Sequence, residues 1–467
     1  MASGTRRTVL HFATALTAGL LLRLWFIQHA ASVNGDTLIY GAIGRNWLQQ
    51  HVYGFLVTTN GLQPTLIRLP GYPLFLAICF FLFGADHYTP ILYVQCFFDL
   101  ATCLLIAALA GRLFGPRARV GALWLAVMCP FTATYVAAPL TEVLTLTSIT
   151  LAFYSLERWR VAGCKFNGWL WVIGFAVACS LLLRPEQGLL AAVIVPAVLW
   201  LSLRATPTLR HGVRVATVLP ALLVSGCVLL PLVPWAMRNW RTFHVFQPLA
   251  PRSATDPGED VPTGFNRWYR TWGIDYASTE EVYWNYDNAS IDIADLPTRA
   301  FDSQKQYSET ADLLAEYDRT SNASPALDAR FNAVAVERID ADRVRYYVAL
   351  PVARLLNMAF RPRTEMMQIS LDWWRYREHH LHTIEALALA ALNLGYFALG
   401  FAGLYLWHRQ GWESDAALGW SMVGFLLLRS ALLLTLDNSE PRYTLEFFPL
   451  LIVWGSFVFR GRAGLRV

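Results

Sequence analysis

The chain has 467 residues, of which 55% are hydrophobic and 15% are charged, and its mean hydropathy is +0.37. Charges this sparse, gathered between long apolar runs, indicate a polytopic membrane protein and argue against a soluble protein with one large core. The formal net charge of +5 does not indicate nucleic-acid binding, because the arginines form short clusters between the apolar runs. The seven cysteines show no metal-ligand spacing, so neither a disulfide framework nor a metal site nor any cofactor is predicted.

Ten apolar stretches come close to the roughly 17 to 25 residues that a membrane-spanning helix needs. The basic start, Met1–Arg7, runs into the first stretch without a cleavage site, so we interpret it as part of a retained helix. The stretch from Tyr72 to Gly84 is too short to cross and is predicted to be a re-entrant or interfacial helix on the outer side. The predicted spans are approximately 9–31, 89–111, 119–138, 141–157, 168–183, 187–203, 213–236, 382–407, 415–436 and 444–460.

The arginine distribution predicts the topology. If the N-terminus is cytoplasmic, most of the basic residues fall in inner loops, as the positive-inside rule requires. We therefore expect a multi-pass membrane protein with both ends inside. The predicted division is a core of seven spans over 1–239 with a first outer loop at 32–88, an extracytoplasmic domain at 240–380, and three final spans at 381–467. The short outer loops contain only four arginines, Arg45, Arg68, Arg184 and Arg442.

The polar segment after the seventh span has its own helical pattern. Residues 303–317 and 325–342 are predicted to be helices. Residues 344–360 repeat apolar side chains at helical spacing among arginines, which predicts an interfacial helix leading back to the membrane.

Asp36 is the first candidate for chemistry. It lies shortly after the first span and precedes a predicted helix, Thr37–Gln50, on which Tyr40 falls on the same face. A partly desolvated carboxylate at the membrane boundary can act as a general base towards a hydroxyl group. The alternative is an N-terminal helix cap, for which aspartate is a common residue, and one residue can fill both roles.

The basic candidates lie on the same predicted outer face. Arg68 precedes a rigid Pro-Gly-Tyr-Pro turn and could clamp a phosphate with its planar guanidinium, or contact lipid headgroups. Glu142, Arg184 and Glu186 lie at outer ends of predicted spans, where they are either functional groups or an ion pair joining two helices. Arg238 and Arg442 stand beside aromatic residues typical of a membrane interface.

The order of these motifs resembles a known family. Gly-Asp36-Thr with Tyr40, Arg68-x-Pro-Gly-Tyr72-Pro, Leu-Thr-Glu142, Arg184-Pro-Glu186, Pro-Trp-x-x-Arg238-Asn and Arg442-Tyr443 are similar to motifs of GT-C glycosyltransferases. Within that superfamily the chain resembles the bacterial dolichyl-phosphate-mannose mannosyltransferase-like group, which is related to protein O-mannosyltransferases and aminoarabinose transferases. Many members carry two adjacent acids in the first loop, whereas Thr37 follows Asp36 in this sequence, which argues against a second acidic or metal-binding role there.

The resemblance implies an all-α GT-C bundle in a bacterial cytoplasmic membrane, with its active site facing outside. Such a protein transfers a sugar, with inversion, from a polyprenyl-phosphate donor to a lipid, glycan or protein hydroxyl on the outer face. Asp36 occupies the position of the catalytic aspartate and would be the general base. The leaving phosphate needs fixed positive charge rather than a metal, and the candidates are Arg68, Arg184, Arg238 and Arg442. Membrane lipids are expected partners, and the substrate pocket is expected to include Tyr40, Tyr72, Glu142 and Glu186.

Two other functions use some of the same residues. A transporter or flippase of lipid-linked glycans would need the outer arginines without catalysis, but the chain shows no evident inverted repeat. A glycan polymerase or ligase acting on diphosphate-linked chains would keep the arginines but leave the first-loop pattern unexplained.

Overall fold

The computed structural model describes residues 2–57, 61–205, 215–286, 289–320, 324–412 and 415–461. The chain forms two compact units. The first comprises Met1–Pro257, Gly395–Leu426 and Leu445–Val467, and the second comprises Gly258–Leu394 and Leu427–Thr444. The three-part division expected from the sequence remains a prediction.

The first part of the chain is almost entirely helical, as long apolar runs require when every backbone polar group must find an internal partner. One antiparallel hairpin interrupts it, with strands Gly54–Val57 and Gly61–Pro64 paired so that Phe55 lies opposite Gln63. The helices are Ala2–His29, Asp36–Gln50, Gly71–Phe83, Tyr88–Phe114, Pro116–Val127, Pro130–Ala133, Thr134–Ala137, Glu142–Val161, Gly168–Leu183, Pro185–Gln187, Gly188–Ala205, Val215–Leu229 and Leu232–Phe243.

The remaining elements are also helical. In the polar segment they are Thr263–Arg270, Tyr276–Ser278, Thr279–Tyr283, Ile293–Asp295, Thr298–Ala300, Gln304–Thr320, Pro325–Ala341, Arg345–Ala349 and Leu350–Phe360. The C-terminal part contains His380–Arg409, Ala416–Leu433, Pro441–Phe447, Phe448–Gly455 and Ser456–Phe459. Thus the helices predicted at 303–317, 325–342 and 344–360 are confirmed.

Seven helices among the described residues are long and apolar enough to cross a membrane, which confirms the all-α polytopic class. They are Thr8–His29, Tyr88–Phe114, Pro185–Ala205, Thr217–Phe243, His380–Arg409, Ala416–Leu433 and Pro441–Phe459.

Three of the ten predicted spans differ from a simple crossing helix. The segment predicted at 119–138 is two helices, Pro116–Val127 and Pro130–Ala137, bent by 51°. The break precedes Pro130, which cannot continue a helix from the residue before it. The helix Gly168–Leu183 has 16 residues, and Glu142–Val161 carries two acids and two arginines. A count of ten spans therefore remains a prediction, and seven meet the criteria of length and composition.

A buried ion pair joins helices of the first unit. Arg23 is fully buried, and its Nε donates to Asp99 Oδ2 over 2.6 Å. Its Nη1 also donates to the carbonyl of Val127 over 2.6 Å. This intramembrane arginine therefore pairs two helices, because a charge in this environment requires a partner.

The second unit has an aromatic core. The rings of Phe265 and Tyr286 stack with centroids 3.7 Å apart, and Trp268 and Phe331 pack against them. Arg338 is buried beside this core, where its guanidinium donates to Thr271, Ala300, Gln306 and Arg299. Hydrogen bonds to the protein itself therefore hold the Arg338 guanidinium in place.

Candidate active site

Asp36 begins the helix that follows the first span. The preceding residue, Gly35, is the N-cap and has φ of +48°, a left-handed conformation that glycine adopts without strain. Asp36 therefore occupies the first position of the helix Asp36–Gln50 and is not its N-cap. A carboxylate at this point is favoured by the positive end of the helix dipole.

Arg68 lies against this carboxylate. Its Nη2 donates to Asp36 Oδ1 over 2.7 Å, although 32 residues separate the two in sequence. The exposed fractions of the side chains are 18% for Arg68 and 26% for Asp36, so the pair is shielded but still accessible. The hydroxyl of Tyr53 donates to the carbonyl of Arg68 over 2.9 Å and fixes its backbone.

Tyr40 is the neighbour that Asp36 and Arg68 share. The Arg68 guanidinium lies over its ring at 5.5 Å, and its edge meets Tyr72 with centroids 5.2 Å apart. Burial raises the pKa of Tyr40 to about 12, and the positive charge of Arg68 opposes that rise only in part. Tyr40 is therefore protonated at neutral pH, and Asp36 is the group beside it that can accept a proton.

Gly71 brings a second charged cluster close to this loop. A Cβ on Gly71 would lie 2.6 Å from the carbonyl carbon and oxygen of Leu182 and 2.9 Å from the nitrogen of Leu183. Only glycine permits such a close backbone approach. Because Arg184 directly follows Leu183, the Arg68 turn and the Arg184 turn are seated against each other.

Arg184 is surrounded by carboxylates. Its Nε donates to Glu186 over 2.8 Å, and its Nη1 donates to Glu142 over 3.2 Å and lies 4.0 Å from Glu446. Glu142 and Glu446 are buried, with exposed fractions of 3% and 1%. The charges of Arg184 and Glu142 also act on the pKa of Tyr40, Arg184 lowering it and Glu142 raising it.

Arg238 has a different set of contacts. Its Nη1 donates to the carbonyl of Thr65 over 2.7 Å and its Nη2 to that of Tyr53 over 2.8 Å. Its guanidinium also lies 5.3 Å from the rings of Tyr53, Trp235 and Phe243. The observed contacts hold the first outer loop in place, and binding of a donor phosphate by Arg238 remains a prediction.

Arg442 belongs to the second unit. Its Nε lies against the Glu440 carboxylate, and its guanidinium is 5.8 Å from the Tyr443 ring. Its proposed contact with a phosphate also remains a prediction. Among the described residues, the cluster with the spacing of a metal site is Asp372, Glu378 and His379, likewise in the second unit.

The first unit thus brings together six of the predicted residues, namely Asp36, Tyr40, Arg68, Tyr72, Glu142 and Arg184, with Glu186 bound to the last of them. Glu446 was not predicted. Its only sequence signal was a position four residues after Arg442, one helical turn into an apolar run. The arrangement offers a carboxylate that can take a proton beside a guanidinium that can stabilise a departing anion.

The long apolar helices define a multi-pass membrane protein. Residues 64–237 match the family model of the dolichyl-phosphate-mannose-protein mannosyltransferases. Over the segment that it covers, this match confirms the resemblance to GT-C glycosyltransferases that the motifs indicated. The matched segment contains Arg68, Tyr72, Glu142, Arg184 and Glu186.

Two solved structures are similar over most of this chain, both of ArnT from Cupriavidus metallidurans. The structure bound to undecaprenyl phosphate shares 13% identity over 98% of this chain and 78% of that chain, with a TM-score of 0.37. The apo structure shares 15% identity over 94% of this chain and 78% of that chain, with a TM-score of 0.35. No curated protein matches this chain significantly.

Proposed function

We propose that this chain transfers a sugar, with inversion, from a polyprenyl-phosphate donor to a hydroxyl group on the outer side of a bacterial cytoplasmic membrane. The observation that carries the proposal is the Asp36–Arg68 pair, a partly exposed carboxylate and guanidinium 2.7 Å apart. A lipid-linked donor keeps its tail among the apolar helices and its reacting carbon at the level of the headgroups. The catalytic groups must therefore lie where a spanning helix ends, as Asp36 does.

In this mechanism the acceptor oxygen attacks the anomeric carbon of the sugar while Asp36 takes the proton from that hydroxyl. The bond between the anomeric carbon and the phosphate oxygen breaks, and its electron pair leaves on the phosphate. The negative charge that develops there is stabilised by Arg68. Attack from the face opposite the leaving group inverts the configuration.

Arg68 can bind both the Asp36 carboxylate and the phosphate of the donor. A guanidinium has five N–H donors, and the observed contacts of Arg68 include Asp36 and the carbonyl of Ile67, the latter over 3.3 Å. A phosphate would share this cation with the carboxylate. Withdrawal of part of the guanidinium from Asp36 would make the carboxylate a better proton acceptor when the donor is bound, which couples donor binding to the activation of the base.

We assign Arg184 to the orientation of the sugar rather than to the phosphate. Its guanidinium is held by Glu142 and Glu186, so it carries no excess positive charge towards an incoming anion. Carboxylates held in this way are suitable acceptors for sugar hydroxyls. Tyr40, which lies against Arg68, and Tyr72, whose ring contacts Tyr40, would line the sugar.

The test is transfer of label from donor to product. Purified wild type would be incubated with polyprenyl-phosphate sugars labelled in mannose, arabinose or galacturonic acid, with a membrane extract as acceptor. Asp36→Asn is expected to abolish transfer. The matched control is Asp86→Asn, which removes an exposed acid paired with Arg45 in the same outer region and should leave transfer intact.

Two results would contradict the proposal. Transfer by Asp36→Asn at the wild-type rate would remove Asp36 as the base. Tight binding of a donor by the wild type without any turnover would instead support a transporter of lipid-linked sugars.

A further inference from the structure

The second unit contains a cavity of about 480 Å³, lined by residues other than those of the candidate active site. This volume falls within the roughly 300–1,000 Å³ typical of small-molecule sites. Four segments form its walls, namely residues 275–281, residues 295–299, the end of the helix Leu350–Phe360 with the two residues that follow it, and the segment that contains Trp373 and Trp374.

One wall is fixed by its own contacts. The Asp275 carboxylate accepts from the backbone nitrogen of Ser278 over 2.9 Å and pairs with Arg299. Arg299 also donates to the carbonyl of Trp272 over 3.2 Å. These hydrogen bonds and this ion pair hold the wall in place without a ligand.

Two other acids at the cavity, Glu281 and Asp295, make no side-chain hydrogen bond or ion pair with any residue that the structure describes. Burial raises the pKa of Glu281, and the negative charges of Asp295, Asp275 and Asp372 raise it further, whereas Arg375 opposes the rise. Acceptor groups that are partly removed from water in this way gain from any ligand that donates hydrogen bonds to them.

The opposite side of the cavity is aromatic and cationic. Trp373 and Trp374 meet edge to face, with centroids 6.0 Å apart at 84°, and Trp374 is 54% exposed. Arg361 lies over the ring of Tyr276 at 4.7 Å and is thereby held in position. A large exposed indole in a concave site offers a flat apolar surface for a ligand.

We propose that this cavity is a saccharide-binding site. Sugar hydroxyls would donate to Glu281 and Asp295 and accept from Arg361, while a C–H face of the ring would pack on Trp374. Carbohydrates combine a hydroxyl-rich edge with an apolar face, which is the combination that this lining presents. A phosphorylated or carboxylated ligand fits less well, because Glu281 and Asp295 would repel it.

The test measures saccharide binding without any donor. Full-length protein in nanodiscs would be titrated with mannotetraose, chitotetraose, cellotetraose and maltotetraose, and tryptophan fluorescence and calorimetry would report affinity. Trp374→Ala and Glu281→Gln should each weaken binding of the best ligand by about tenfold or more, the effect of losing one good contact to a charged or aromatic group.

Two control variants leave the cavity lining intact. Tyr376→Ala removes an exposed aromatic of the same segment, and Glu309→Gln removes an exposed acid on the helix Gln304–Thr320, so both should bind like the wild type. Cooperative thermal unfolding of all four variants, at a temperature no lower than that of the wild type, would show that each is folded. Failure of all four sugars to bind, or wild-type affinity in both cavity variants, would overturn the proposal.

The saccharide site does not depend on the proposed transfer reaction. Asp36→Asn should keep its saccharide affinity even where it has lost transfer. Conversely, Trp374→Ala retains Asp36, so a loss of saccharide binding in this variant would be an effect on the cavity alone. The two proposals can therefore fail independently.

Discussion

Gly71→Ala is the substitution whose effect the structure defines most sharply. The new methyl group would lie 2.6 Å from backbone atoms of Leu182, where ordinary contact begins at 3.4 Å. The two segments must therefore separate by about 0.8 Å, and the atoms in the way are backbone, which cannot rotate aside. Overpacking of this kind costs typically about 1–3 kcal/mol of stability.

The same displacement would act on function. Arg68 lies three residues before Gly71, and Arg184 directly follows Leu183, so separation at Gly71 moves the two charged groups relative to each other. A misplacement of about 1 Å can reduce a catalysed rate by about 10²-fold. We expect a loss of about 10- to 100-fold in kcat for sugar transfer.

The assay pairs transfer kinetics with thermal unfolding in detergent. The matched control is Gly168→Ala, at the other end of the helix Gly168–Leu183, where an added Cβ meets nothing within 4 Å. Gly168→Ala should keep the wild-type rate and stability. Equal behaviour of Gly71→Ala and Gly168→Ala in both measurements would refute the close-contact reasoning.

Arg23→Met should lower stability by about 3–5 kcal/mol because it leaves Asp99 as a buried unpaired charge, whereas adding Asp99→Leu should recover most of this in thermal unfolding. An equal loss in the double variant would contradict the pairing role. Arg238→Lys should reduce transfer but not insertion, because an ammonium lacks the fork that donates to the carbonyls of Thr65 and Tyr53. Unchanged transfer kinetics would argue against this role. Glu281→Gln should stabilise the folded protein at neutral pH, because a carboxyl group whose pKa is raised by folding destabilises the folded state once the pH exceeds its ordinary pKa of 4.5. The gain in stability should vanish well below pH 4.5, and a gain that does not depend on pH would contradict this reasoning.

The sequence predicted the local elements well because their signals are local. The helix Asp36–Gln50 lies within one residue of the predicted Thr37–Gln50, and Pro325–Ala341 within one residue of 325–342. Apolar spacing and proline at the first turn were sufficient in these cases. The short hairpin Gly54–Val57 with Gly61–Pro64 was missed, since four-residue strands show too little alternation to be recognised.

The partners of charged residues could not be predicted, because they depend on packing between distant segments. Arg23 pairs with Asp99, which lies 76 residues away in the sequence. Arg238 and Arg68 looked alike as interfacial arginines, yet one bonds carbonyls and the other a carboxylate. Glu446 lies near Arg184 although it belongs to a helix at the other end of the chain.

The most direct test of the account is single-turnover kinetics of Asp36→Asn with saturating labelled donor, measured alongside donor affinity. We predict that the variant binds the donor as the wild type does, while the rate of the chemical step falls by about 10²- to 10⁴-fold, the usual contribution of a general base. The control Asp86→Asn should retain both values. A chemical step within a few-fold of the wild-type rate in Asp36→Asn would contradict the assignment of Asp36 as the base.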